Sequence, residues 1–190
     1  MPQTRFRASC KTAILTIAGE TLRAAWTSTG IAAVERERLS AHKDLERRLK
    51  MTLVGAPAPP VIRQLLALAA KGKADDAPLD LAWARDFERE VLEAARRIPY
   101  GETRSYSWLA REARRPLAVR AAASAMARNP LWLLVPCHRV VYADGRLGPY
   151  GNGAIGQARK RALLAREGVH LEAPLTRKEK RSKRQARTKR

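Results

Sequence analysis

Asn129-Pro130-Leu131-Trp132-Leu133-Leu134-Val135-Pro136-Cys137-His138-Arg139-Val140 is an apolar run that stops abruptly on reactive and charged residues. Residues 131–135 read as the end of a buried strand. Pro136 denies that strand a ladder donor and forces the chain out of regular structure. The exit delivers Cys137. A cysteine in such a place is ordinarily inert packing, but its neighbours here point elsewhere. His138 can take its proton directly or through a water. Arg139 adds a positive charge that favours the thiolate, the nucleophilic form. The other cysteine, Cys10, lies in a strand-like segment with no base beside it.

Upstream of this motif the chain reads as helical. Residues 117–128 (Leu-Ala-Val-Arg-Ala-Ala-Ala-Ser-Ala-Met-Ala-Arg) predict an Ala-rich helix, since Ala is the strongest helix former. Arg120 and Arg128 are its only long charged groups. It reads either as a plain helix or as a face stripped of side chains so that its backbone can approach DNA. Residues 105–113 predict another helix, with Ser105 as its cap and Arg114-Arg115-Pro116 as the break. Two helices across so short a break suggest a helix-turn-helix. Phe87, Val91, Leu92 and Ala95 mark a further helix that stops near Ile98-Pro99.

The first part of the chain has a different rhythm. Short apolar runs at 12–18, 22–27 and 31–34 are separated by turn residues and predict a β-meander. Helical spacing appears at 44–53 and again at 61–70, after a Gly-Ala-Pro-Ala-Pro-Pro break. Residues 71–78 are polar and read as a connection.

With 190 residues and 45% hydrophobic content, the chain can bury a core as one domain or two small ones. Its net charge of +20 calls for a polyanionic partner. No apolar run approaches the roughly 18 residues of a membrane span, and the N-terminus lacks the apolar stretch of a signal peptide. Nucleic acid is therefore the expected partner, with no membrane, in the cytoplasm, at the nucleoid or in a nucleus. Two cysteines and three histidines give neither a disulfide framework nor a ligand-spaced cluster, so no metal and no cofactor are expected. Nine of the 38 Lys and Arg residues fall in 173–190, which read as a disordered basic tail able to bind phosphates.

Pro136-Cys137-His138-Arg139-Val140 resembles the active-site signature of the O6-alkylguanine-DNA alkyltransferases. The resemblance extends over residues 83–172, in order: Ile98-Pro99-Tyr100-Gly101-Glu102-Thr103-Arg104-Ser105-Tyr106, Ala118-Val119-Arg120-Ala121, Asn129-Pro130 and Leu163-Leu164-Ala165-Arg166-Glu167-Gly168. It implies an α/β (α+β) protein: a small ribonuclease-H-like β-meander domain over 1–75, a linker at 76–84, and a winged helix-turn-helix-like alkyltransferase domain over 85–172. It implies a monomer that binds duplex DNA carrying O6-alkylguanine through the minor groove. It also implies irreversible, single-turnover transfer of the alkyl group to Cys137.

The roles the family assigns carry over residue by residue. Cys137 would be the nucleophile, His138 its base through a water, and Glu167 the group that holds His138. Asn129 would support the hinge before the cysteine. Tyr106 would crowd the target phosphate with its ring and donate a proton to the leaving guanine with its hydroxyl. Arg120 would fill the gap left by a flipped nucleotide, with Ala121, Ala122, Ala125 and Arg128 on the DNA side of its helix. Trp132, Pro136, Val140, Tyr150 and Gly151 would line the substrate pocket. Where this chain has Trp132 the family usually has Pro, and where it has Ala123 Gly is common. The segment 151–157 is a few residues longer than usual. An indole pointing into the pocket would admit methyl readily and benzyl poorly; the other arrangement packs it beneath Tyr150. Two rival readings are a non-catalytic DNA-binding protein that senses alkylguanine and a thiol hydrolase.

Overall fold

The structure is a computed structural model that describes residues 8–73, 76–151 and 153–171; the basic tail lies outside them. Strands β1 (Ser9–Ile17), β2 (Glu20–Trp26) and β3 (Ile31–Arg36) form the expected meander. Ala18 and Gly19 join β1 to β2 with φ of 50° and 78°. Two consecutive left-handed residues give the hairpin turn whose twist matches its strands. The helix predicted at 44–53 is instead α1 (Ala41–Leu49), followed by strand β4 (Thr52–Gly55). Lys50, in the left-handed region at φ 57°, ends the helix. β4 then pairs parallel to β1, giving the sheet order β3-β2-β1-β4.

Each face of the sheet has its own core. Cys10, Ala25, Ala33 and Leu53 pack under Leu45 and Leu49 of α1. Leu15, Leu22, Ala24 and Val34 face the larger core, shared with the rest of the chain. Helix α2 (Pro60–Ala69) starts with Pro at its first turn, where no N–H is missed. Asp86–Arg96 forms α3, Tyr106–Glu112 α4 and Val119–Ala127 α5. The turn between α4 and α5 has Arg114 at φ 55°. The closing helix α6 runs from Gly153 to Arg166.

Two pairings carry the sheet to the cysteine. At Gly30 a Cβ would lie 2.5 Å from the carbonyl oxygen of Pro78, so only glycine lets the connection pass this close to β3. At the other end of β3, Val34 N donates to Pro130 O at 2.7 Å, and Val34 pairs with Leu131. Residues 131–135 are therefore not a strand. Leu134 N and Val135 N both turn back to Leu131 O, at 2.8 and 2.7 Å. Their apolar character comes from burial in a turn, and the alternation test cannot separate a short buried run from a strand.

Candidate active site

Cys137 opens a single 3-10 turn, Cys137–Arg139, directly after Pro136. Asn129 clamps the turn that precedes it: its Nδ2 donates to Val135 O at 3.1 Å, and its Oδ1 accepts from Leu131 N at 2.9 Å. Strand β6 (Val140–Val141) follows and pairs parallel to β5 (Arg104–Ser105), matching Arg104 to Val140. The next residue after β5 is Tyr106, the start of α4, which Ser105 caps by accepting from Trp108 N at 3.1 Å. This short parallel pair is what brings Tyr106 and Cys137 together, although they lie in separate sequence motifs.

The Cys137 thiol is buried, and burial pushes its pKa above the ordinary value. Hydrogen bonds from Asn129 and Tyr150 and the charge of Lys160 pull the other way without winning. The resting group is thus the thiol, and a base is required to make the nucleophile. Nε2 of His138 stands 2.7 Å from Oε1 of Glu167. Burial raises the Glu167 carboxyl, but donors from His138, Arg139 and Gly101 N outweigh it and hold the pKa at about 2. An ionised carboxylate can only accept, so Nε2–H donates to it, which leaves Nδ1 as an acceptor. That Nδ1 is buried and has no hydrogen-bond partner among the described residues.

Arg139 does not serve the thiol, as its sequence position suggested. Its guanidinium donates to Glu167 at 2.9 and 3.0 Å and to Ile98 O at 2.7 Å. The cation that acts on Cys137 is Lys160, which sequence reasoning missed. Lys160 is fully buried. Its Nζ donates to Val140 O at 2.5 Å and lies 5.9 Å from the ring centres of both Tyr106 and Tyr150. Burial lowers its pKa to about 8, and the Cys137 charge opposes that shift. Its signal was helical spacing: Lys160, Leu164 and Glu167 fall on one stripe, between the cations Arg159 and Arg161.

Tyr106 is only 3% exposed. Burial, with Tyr142 and Cys137 adding to it, pushes its phenol well up and keeps the proton on it. Its ring packs edge-on to Tyr142, and residues 148–151, which form a lid over it, pass so close that a Cβ at Gly148 would lie 2.9 Å from its hydroxyl. The ring stands in the core at the start of α4. Tyr150 is half-buried on the other side, close enough to the thiol to favour its ionised form. Gly151, next in the lid, is exposed.

On α5, Arg120 and Ala121 are exposed, as an outward face requires. Arg128 just beyond it is exposed too and stands 3.5 Å from Glu88. Ala122 and Ala125 are corrected: both are buried against α3 and α4 in the core. One turn is 3.6 residues, so Ala121, Ser124 and Arg128 make the outer stripe while 122, 125 and 126 point inward. Trp132 lines a cavity of about 470 Å³ with Pro136, His138, Tyr100 and the end of α2, and Cys137 is not among its lining residues. The indole face carries the Arg159 guanidinium, 4.9 Å from the ring centre. Neither of the arrangements weighed from sequence included that partner.

The family model of the 6-O-methylguanine DNA methyltransferase DNA-binding domain matches residues 86–169. A methylated-DNA–protein-cysteine methyltransferase of Mycolicibacterium paratuberculosis is 46% identical over 101 residues, 53% of this chain and 59% of that protein. The chain thus spans about three-fifths of the length of the curated relatives it matches first. The crystal structure of Mycobacterium tuberculosis O6-methylguanine methyltransferase is similar over 84% of this chain and 92% of that one, with 30% identity and a TM-score of 0.61. A structure of Mycobacterium tuberculosis OGT in complex with DNA is similar over the same shares, with 32% identity and a TM-score of 0.63. With nine-tenths of those solved chains matched at 30% identity or more, the chain belongs to the O6-methylguanine-DNA methyltransferase family.

Proposed function

We propose that this protein repairs O6-alkylguanine in duplex DNA by moving the alkyl group, chiefly methyl, onto Cys137 once per molecule. The observation that carries the reading is the chain Cys137, His138, Glu167. Glu167 fixes the proton on Nε2, and the free Nδ1 accepts the thiol proton through a water. The thiolate attacks the alkyl carbon in line. The new S–C bond forms as the C–O6 bond breaks, and the electron pair goes to the guanine. Tyr106, kept protonated by its burial, donates to that leaving group. Lys160 balances the thiolate charge, and its bond to Val140 O holds the carbonyl that would accept from the guanine amino group. The S-alkyl thioether has no easy leaving group, so the protein is consumed.

The guanine reaches a buried thiol only by leaving the stack. Arg120 on the exposed start of α5 would fill its place, while Ala121 and Ser124 would let the helix backbone lie in the minor groove. Pro136, Val140, Tyr150 and Gly151 would surround the base, with Trp132 acting from the His138 side. The intact cysteine, base and orienter favour this reading over a binding module without chemistry. Incubation with O6-methylguanine duplex and intact-mass measurement tests it. One CH2 should be gained per chain, on Cys137 and not on Cys10, with no further turnover. Binding without mass gain would leave the sensing reading, and repeated turnover would mean a hydrolase.

A further inference from the structure

Arg159 is next to Lys160 on α6 and joins parts of the chain far apart in sequence. Its NH2 donates to both carboxylate oxygens of Glu20, at 2.9 and 3.1 Å, 139 residues away at the start of β2. Glu20 is held in turn by Arg36 at the end of β3, whose Nε donates at 3.0 Å. The same Arg159 guanidinium lies over the indole of Trp132, in the turn before the cysteine. One side chain on α6 therefore bears on the sheet and on the cysteine turn together. Family resemblance placed a Pro where Trp132 stands, so the stacking partner belongs to this chain's own sequence.

We infer that Arg159 is a positioning residue: by fixing α6 between Glu20 and Trp132 it sets how Lys160 and Tyr150 face Cys137. The inference rests on the proposed nucleophile but not on the nature of its substrate. The groups that act on the thiol are Lys160 from α6, Tyr150 from the lid and Asn129 from the hinge. Of these, Lys160 carries the charge. Its placement depends on the rotation and height of α6, and residue 159 is the adjacent anchor. The start of the helix packs on the lid as well: a Cβ at Gly156 would lie 1.4 Å from Tyr150 O, so only glycine lets the helix approach the tyrosine backbone this closely. Glu20 and Arg36 also bear electrostatically on Tyr150, which places this ion cluster beside the lid. A planar guanidinium suits the position, because it can bind a carboxylate in the plane and stack on an aromatic face at once.

The test is the pH profile of Cys137 alkylation by iodoacetamide in the full chain, followed by intact mass. Arg159→Ala should move the profile to higher pH, because a displaced Lys160 no longer favours the thiolate, and slow the reaction at neutral pH by roughly three- to tenfold. Glu20→Gln should shift it the same way. The double variant should shift no further than the larger single one, since the Glu20 contact is among those that Arg159→Ala already removes. Arg159→Lys should restore part of the shift. An unchanged profile in Arg159→Ala, or fully additive shifts, overturns the inference. If Arg159→Ala fails to fold, Glu20→Gln carries the test alone, with an unshifted profile counting against it. Methyl transfer from DNA by the unaltered protein is measured separately, so its failure would count against the proposed function and leave this result standing.

Discussion

Glu167 is shared between His138, whose Nε2 stands 2.7 Å from Oε1, and Arg139, whose Nε donates to Oε2 at 2.9 Å. The carboxylate therefore does not belong to the base alone. Arg139 engages both of its oxygens, Nε on Oε2 and a terminal nitrogen on Oε1, so the imidazole shares its acceptor with a guanidinium. Gly101 N, at 3.1 Å, completes the set and ties the loop before Tyr106 to the same carboxylate.

Glu167→Gln tests that division of labour. The amide keeps the size of the side chain but can present its NH2 to His138, which favours the tautomer with the proton on Nδ1. That proton blocks the acceptor position toward the thiol. Single-turnover methyl transfer is expected to slow by about 10²-fold or more, the usual worth of a positioned base. DNA affinity should hold. A rate within a factor of three of the parent would show that the ring is fixed by packing alone.

The same residue makes stability depend on acid. The folded carboxyl titrates at about 2, below its ordinary 4.5. A depressed carboxylate contributes stability above the unfolded value and loses it as pH falls through the folded one. The contribution is of order 1 kcal/mol once solvent screening is discounted. The melting temperature of the parent should therefore exceed that of Glu167→Gln near pH 6. The gap should close between about pH 5 and pH 2. A constant gap across that range would remove Glu167 from the account.

The meander, the helix-turn-helix and the cysteine motif were legible because each is a local pattern: a two-residue turn, a capped helix, a proline before a cysteine. What escaped needed partners distant in sequence. β4 was absorbed into a helix because Leu45, Leu49 and Leu53 continue an i, i+4 spacing, and only pairing with β1 makes residues 52–55 extended. Lys160 was hidden among neighbouring cations, and its burial depends on Val140 O, two tyrosines and the thiol. Arg139 was misjudged for the same reason: adjacency in sequence placed it by Cys137, while its side chain reaches back to Ile98 and Glu167.

The two faces of α5 give a clean contrast. Ala122 and Ala125 are buried in the core. Ala122→Leu should cost about 1–3 kcal/mol by overpacking, with DNA binding altered only as far as folding is. Ala121→Leu, on the exposed stripe, should leave the melting temperature within a degree or two. It should instead weaken duplex binding by tenfold or more, because a long side chain holds the helix off the groove. Melting curves and a DNA titration of both variants decide it. Equal loss of binding in the two, at equal stability, would return Ala122 to the DNA face.

Trp132 allows the last separation. Its Nε1 is buried without a hydrogen-bond partner among the described residues, and its ring supports Arg159. Trp132→Phe deletes the orphan donor, whose burial costs roughly 1–3 kcal/mol, and keeps an aromatic face under the guanidinium, though a weaker one. The two effects oppose each other, so stability should change little. The rates decide what the indole does. It lines the cavity that holds His138, and Cys137 is not part of that lining. The substitution should then change transfer from O6-methylguanine and from O6-benzylguanine by the same factor, because both reactions use the same base. A gain confined to the benzyl substrate would place the indole beside the thiol after all. In that case Trp132 would set the size of the group the protein accepts.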